Sequence, residues 1–253
     1  FRSLAFTYDS QGKMDSRFRG NDGDVGSRDD AERLGNTWID GHTPRNTTSE
    51  KTMNDLRVGF IGLGAMGLPM AGHLARAGLL RAVWNRSHDK AAAAEQKLHV
   101  AAPATIAELA PLCNVIALCV PADADVLDLA REIAAHAHPG TIVIDHSTVS
   151  SVTAQSACAI LAKKDCAFLD APVSGGVEGA GNGKLSVMVG GDEDVLVRVR
   201  PALDCYASKV NHMGAVGAGQ NTKAVNQVLV AGIAQAVCEG LALSEHLGLD
   251  PQR

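Results

Sequence analysis

From Leu56 onward, short and nearly unbroken apolar runs alternate with longer stretches of helical period. The runs 57–62, 82–85, 115–120, 141–145 and 167–170 read as strands covered on both faces. Between them lie the helix candidates 65–77, 88–98, a short helix after Thr105, 123–137 and 151–163. Ser87 stands where it could cap the second of these, and Thr105 with Glu108 has capping-box spacing. Strands separated by single helices predict an α/β fold with a doubly wound, mainly parallel sheet. A later strand, 185–189, precedes a helix over about 192–203. A long helical pattern then runs over about 219–247, apolar through Val225, Val228, Leu229, Ile233, Val237, Leu241 and Leu243. It is too long for a crossover and is expected to start a second, all-helical domain.

Residues 1–52 lack either period and are rich in Gly, Asp, Arg, Ser, Asn and Thr. They are expected to form a disordered extension, translated from upstream sequence, because they carry too little apolar surface to fold. The expected division is 1–52 extension, 53–216 nucleotide-binding domain and 217–253 the start of a helical domain.

The remaining composition narrows the class. The 253 residues carry a net charge of −5, which points to neither a nucleic-acid nor a membrane surface. No unbroken apolar run approaches the ~20 residues of a bilayer span. Six scattered cysteines without a C-x-x-C spacing read as free thiols of a reducing, cytoplasmic compartment. The histidines show no metal-ligand spacing, so no metal is expected.

The most informative chemistry lies where the first strand ends, at Gly62-x-Gly64-x-x-Gly67. A strand, a glycine turn and a helix start in that order make a cradle for a pyrophosphate. The glycines admit a tight turn and close approach, and the helix N-terminus offers N–H groups and partial positive charge. The second strand ends Asn85-Arg86-Ser87. An acid there would repel a 2′-phosphate, whereas neutral Asn85 and cationic Arg86 favour NADPH; the plain alternative is an exposed strand-end arginine. Val120-Pro121 and Asp145-His146-Ser147-Thr148 end two further strands at the same edge. Ser147 and Thr148 are either ligand contacts or helix caps. Ser174-Gly175-Gly176, after Asp170-Ala171-Pro172-Val173, could present backbone N–H groups to a carboxylate, or form a loose loop. Lys223 and Asn226 share a helix face behind Gly217-x-Gly219, and the lysine faces either a cleft or solvent.

Taken together, the glycine fingerprint, the 170–176 motif, Gly217-x-Gly219-x-x-x-Lys223 and Lys223-x-x-Asn226 make the chain resemble the β-hydroxyacid dehydrogenases from about residue 53 to 253. These include 3-hydroxyisobutyrate dehydrogenase, tartronate semialdehyde reductase and the glyoxylate/succinic semialdehyde reductases. The resemblance implies a Rossmann-type fold and hydride transfer between NADP(H), with NAD(H) as second choice, and a small β-hydroxyacid or its semialdehyde. It implies that Gly62, Leu63, Gly64, Ala65 and Met66 hold the pyrophosphate and that Asn85, Arg86 and Ser87 set the NADP preference. Val120 and Pro121 would line the cofactor, with Thr148 at the nicotinamide. Ser174, Gly175 and Gly176 would take the substrate carboxylate, Asn226 would orient the substrate, and Lys223 would be the acid/base. A homo-oligomer is implied too. Residues 1–52 have no family counterpart, and the family's helical domain continues past the point where this chain stops, so the chain is expected to be C-terminally truncated. The alternatives are a cofactor-binding fragment without turnover and an imine-reductase-like relative, the latter disfavoured by Lys223.

Overall fold

The computed structural model describes residues 55–250. The expected extension 1–52 lies outside the described residues. Eight strands form one sheet: β1 (Val58–Ile61), β2 (Leu80–Trp84), β3 (Val115–Leu118), β4 (Ile142–Asp145), β5 (Ala167–Asp170), β6 (Val173–Ser174), β7 (Leu185–Gly190) and β8 (Ala207–Gly214). Their order is β2-β1-β3-β4-β5-β7-β6, with β8 also pairing β7. The first five strands are mutually parallel, β7 runs antiparallel to β5 and β6, and β7 and β8 are parallel. The sheet is therefore mainly parallel, as the alternating pattern predicts.

The helices are α1 (Gly67–Arg76), α2 (His88–Leu98), α3 (Ile106–Leu109), α4 (Asp123–His136), α5 (Ser151–Ala162), α6 (Gly176–Gly181), α7 (Glu193–Leu203) and α8 (Ala218–His246). They cover the sheet on two sides. Phe60 on β1 faces a core that includes Met70 and Leu74 of α1 and Leu196, Val199 and Leu203 of α7. Its neighbour Ile61 faces the opposite core, with Leu109 of α3, Val126 and Ile133 of α4, and Ala157 and Leu161 of α5. Side chains alternate across a strand, so a strand feeding both cores must be apolar at every position, and β1, β3 and β4 are buried throughout. Each Leu or Ile so buried contributes roughly 1.5–3 kcal/mol.

Local sequence explains several element ends. The Thr105 hydroxyl accepts from the Glu108 N–H at 3.2 Å, and the Glu108 carboxylate reaches back to the Ala104 N–H at 3.0 Å, closing the expected capping box one residue early. Asp192 caps α7 by accepting from Asp194 and Val195 N–H groups. Ser87, in contrast, makes no capping hydrogen bond to α2. The turns that enter β2 and β4 pass through Gly78 and Gly140, where an added Cβ would meet nothing within 4 Å.

Three elements depart from the sequence expectation. The stretch after Asp170, for which a loose loop was one of two readings, forms β6 and α6. The unexpected β8 is an edge strand with Ser208, Lys209, Asn211 and His212 exposed, so its apolar signal is weak. No unbroken apolar run reaches the length of a bilayer span, but average hydropathy over a helix is a separate test. Among the described residues α8 passes that test by length and composition, with mean hydropathy 1.5 over 18 residues, and that window is 0 % buried. Scattered polar residues such as Asn226, Gln235 and Glu239 interrupt its apolar runs without lowering the average enough.

Candidate active site

The strand order reverses between β1 and β3, whose carboxyl ends open onto a cleft of about 730 Å³. The glycine turn forms its floor. Gly62 has φ +96°, and a Cβ there would strike the Cys119 carbonyl. A Cβ on Gly67 would strike the Gly62 carbonyl. These two glycines thus let strand and helix close on each other. Gly64 is different: a Cβ there would meet nothing within 4 Å, because it faces the cleft. The first turn of α1 has no acidic residue, and its N-cap, Met66, supplies no side-chain hydrogen bond. Its dipole and amide groups remain available to an anion, so these residues fit a dinucleotide pyrophosphate.

Gly62, Gly64, Ala65, Met66, Asn85, Arg86, Ser87, Val120 and Pro121 all line this cleft. Leu63 does not: its side chain is 4 % exposed in the core, and its N–H donates to Asn85 Oδ1 at 2.9 Å. Asn85 therefore braces the glycine turn, while its Nδ2 donates to the Ser87 carbonyl at 3.3 Å. Arg86 stands at the mouth, with Nη1 3.2 Å from Asp125 Oδ1 of α4. Asp125, Asp128 and Glu132 bring acidic charge to the same rim.

A second group of residues gathers at the carboxyl ends of β4 and β5. Asp170 accepts from the Gly217 N–H at 2.7 Å and the Gln220 N–H at 2.9 Å, so it caps the start of α8 from across the sheet. Added Cβ atoms on Gly190 or Gly219 would collide with this carboxylate. Burial pushes the Asp170 carboxyl up, while the helix N–H groups pull it back. The Gln220 side chain is 3 % exposed and brackets Thr148: Nε2 donates to the Ser147 carbonyl at 2.7 Å, and Oε1 accepts from the Val149 N–H at 3.2 Å. Ser147 Oγ in turn accepts from the Val120 N–H at 3.0 Å, which joins this group to the cleft. The motif at 170–176 and the start of α8 thus meet at Asp170, and Thr148 is exposed beside them.

Lys223 lies one turn beyond Gln220. It is 8 % exposed, and among the described residues no hydrogen bond or ion pair engages its ammonium. Desolvation holds its pKa below the usual lysine range. Asn226 is half-buried, with Nδ2 3.4 Å from Gln227 Oε1. Ser174 is half-buried and Gly175 and Gly176 are exposed, both with positive φ.

Two buried ionisable groups beneath the site carry no sequence signal beyond polarity at a strand end. Asp145 is fully buried; burial, with Asp170 nearby, pushes its pKa up to about 7 against the pull of the Ser147 hydroxyl and N–H. Its Oδ1 accepts from the Ser147 N–H, and Oδ2 has no partner, which suits a neutral carboxylic acid. His146 is held near pKa 4 by burial. Its Nδ1 lies 2.7 Å from the Ala171 carbonyl, which only accepts, so Nδ1 carries the proton and Nε2 accepts from the Tyr206 hydroxyl at 2.8 Å. Among the described residues no group of three or more His, Cys, Asp or Glu could hold a metal ion.

Comparison with known proteins agrees with this architecture. Residues 57–214 match the NAD binding domain of 6-phosphogluconate dehydrogenase, and residues 217–253 match the NAD-binding family of NADP-dependent 3-hydroxyisobutyrate dehydrogenase. An uncharacterized oxidoreductase of Shewanella frigidimarina is 40% identical over 197 residues, covering 77% of this chain and 68% of that protein. A probable 3-hydroxyisobutyrate dehydrogenase of Mycobacterium tuberculosis is 38% identical, covering 77% and 66%. The structure of the Mycobacterium tuberculosis 3-hydroxyisobutyrate dehydrogenase with L-serine superposes with a TM-score of 0.74 at 37% identity, covering 78% of this chain and 67% of that one. An imine reductase of Myxococcus stipitatus shares the fold at 17% identity and a TM-score of 0.72. The chain spans about two thirds of the length of these relatives. Glycine turn, strand order and matched families converge: the chain belongs to the β-hydroxyacid dehydrogenase family of NAD(P)-dependent oxidoreductases.

Proposed function

We propose that this chain carries the catalytic centre of an NADP(H)-preferring oxidoreductase acting on a small β-hydroxyacid or its semialdehyde. The observation that carries this reading is Lys223: a desolvated, unpaired ammonium on a helix that Asp170 and Gln220 fasten beside the dinucleotide cleft. The bound nicotinamide supplies the hydride in reduction and takes it in oxidation. The glycine turn and α1 hold the pyrophosphate by backbone N–H groups, which cost no side-chain reorganisation. Arg86 takes the 2′-phosphate by a charge-assisted contact. Ser174, Gly175 and Gly176 receive the substrate carboxylate, and Asn226 orients the substrate. Lys223 Nζ donates a proton to the substrate oxygen in reduction and accepts the hydroxyl proton in oxidation. A lysine with lowered pKa performs both steps nearer neutral pH than an exposed one. The working division is a cofactor domain over 53–216 and a helical domain beginning at 217.

Relatives support the substrate class. One is named NAD-dependent L-serine dehydrogenase and is 37% identical over 201 residues, and the Mycobacterium tuberculosis structure is described with L-serine. Both L-serine and 3-hydroxyisobutyrate carry a hydroxyl on the carbon β to a carboxylate. A second reading, NAD use, is favoured by the occupation of Arg86 by Asp125. The test is oxidation of NADPH and NADH with glyoxylate, succinic, tartronate and methylmalonate semialdehydes, and reduction of NADP and NAD with the matching hydroxyacids and L-serine. Turnover should appear with at least one pair, and Lys223→Ala should lower kcat by roughly 10²–10⁴ without weakening cofactor binding. Lys223→Arg should not restore it, because a guanidinium does not give up its proton. Full kcat in Lys223→Ala would refute the assignment.

A further inference from the structure

Gln220 is a buried side chain near the site with both ends of its amide engaged, and no role in the reaction as described so far uses it. Its amide makes two hydrogen bonds to main-chain groups that flank Thr148, at the Ser147 carbonyl and the Val149 N–H. Its own N–H is held by Asp170. Gln220 thus belongs at once to the first turn of α8 and, through its side chain, to the loop after β4. Lys223 is three residues further on, on the same helix face. A glutamine whose only task was to start the helix would not need its side chain: Asp170 already caps that turn, and the local cost of burying an amide is met only by the loop. The side chain spends both of its hydrogen-bonding ends on the segment that carries Thr148.

We propose that Gln220 is a positioning residue for catalysis: by clamping the loop around Thr148 to the first turn of α8, it fixes the distance between Lys223 and the nicotinamide side of the cofactor cleft. This rests on the assignment of Lys223 as acid/base. Neither of the clamp's hydrogen bonds involves the glycine turn or Arg86, so the pyrophosphate and 2′-phosphate contacts are kept while proton-transfer geometry changes. Loss of alignment of about 1 Å between reacting groups commonly costs up to about 10²-fold in rate.

The experiment compares Gln220→Met, which keeps length and loses both amide bonds, and Gln220→Asn, which keeps the amide but is one methylene short. Both are measured for kcat, KM, NADPH dissociation constant, urea midpoint and the rate of Lys223 acylation by an N-hydroxysuccinimide ester read by mass spectrometry. The expected result is a fall in kcat of about tenfold or more with an NADPH dissociation constant within about twofold of wild type. Lys223 should also acylate faster once the helix turn loosens. A folded variant with kcat within about twofold of wild type overturns the proposal. So does a parallel loss of kcat, cofactor affinity and urea midpoint in both variants, which marks a structural role alone. If the unmutated protein turns over none of the acids, the proposed function fails and the acylation rate decides: faster labelling in Gln220→Met upholds the clamp, and an unchanged rate overturns it.

Discussion

Arg86 and Asp125 face each other across the mouth of the cofactor cleft, Nη1 to Oδ1 3.2 Å, with the arginine side chain 81% exposed and the aspartate 28%. Arg86, proposed to take a 2′-phosphate, is therefore already engaged by a carboxylate of α4. Exposed pairs of this kind contribute about 0.2–1 kcal/mol, so the competition is modest but measurable. Asp125→Asn should raise the preference for NADPH over NADH, by up to about 5-fold, since 1 kcal/mol corresponds to that factor. Arg86→Ala should lower NADPH affinity by about tenfold and leave NADH nearly unchanged. Fluorescence titration with both cofactors measures the ratio; equal ratios in all three proteins would remove Arg86 from cofactor selection.

The glycines of the turn should separate in their effects. Gly64→Ala meets no protein atom, so the unfolding midpoint should hold while cofactor binding weakens by at least about tenfold, the added methyl standing where phosphate oxygens approach. Gly67→Ala drives a methyl into the Gly62 carbonyl, and overpacking of this kind costs about 1–3 kcal/mol or more. Thermal unfolding of the two apoproteins distinguishes them.

Asp145 and His146 oppose each other in their pH dependence. The folded His146 pKa is lowered from 6.5 to about 4, so its contribution is complete above 6.5 and is lost as pH falls toward 4. The folded Asp145 pKa is raised from 3.8 to about 7, so its contribution is complete below 3.8 and is lost as pH rises toward 7. Between pH 4 and 6.5 the two slopes cancel in large part. Asp145→Asn keeps the acceptor for the Ser147 N–H and removes one slope. Its stability should then climb with pH in that window by up to about 1.4 kcal/mol per unit, the limit for one proton. Urea unfolding at pH 4.5 and 6.5 would check this; parallel curves for variant and wild type would contradict it.

The long helix makes a claim about assembly. Val225, Val228, Leu229, Ile233, Val237 and Leu241 of α8 are each about half exposed or more. An apolar stripe of that length is covered in a stable protein, and a homo-oligomer is the proposed cover. Leu229→Glu with Ile233→Glu should lower the self-association seen in sedimentation velocity at micromolar protein. A wild-type monomer at all concentrations would sink the proposal.

Much of this was legible because burial on both faces forces continuous apolar strands: 167–170 was read to the residue, and helix His88–Leu98 likewise. The missed elements have separate causes. In α6, Gly176, Gly179 and Gly181 suppress helical propensity, and only tertiary packing restores it. In β8 the outward residues Ser208, Lys209 and Asn211 leave too few apolar positions to reveal a period of two. The glycine turn was legible as a phosphate cradle, but the engagement of the Leu63 N–H by the Asn85 side chain, 22 residues away, was not. Gln220 could not be read at all: its partners are main-chain groups 71 and 73 residues distant, and backbone atoms leave no trace in side-chain pattern.

Every group assigned to cofactor or substrate sits at or beyond the carboxyl ends of the strands, whereas the turns at Gly78 and Gly140 enter β2 and β4 from the opposite edge with open space around them. That edge is a handle. A peptide tag, fluorophore or surface tether inserted at either turn would hold the protein by its inert side and leave the cleft facing solution, as exposed turns of this kind tolerate insertion. The molecule thus comes with a built-in orientation for immobilised assays.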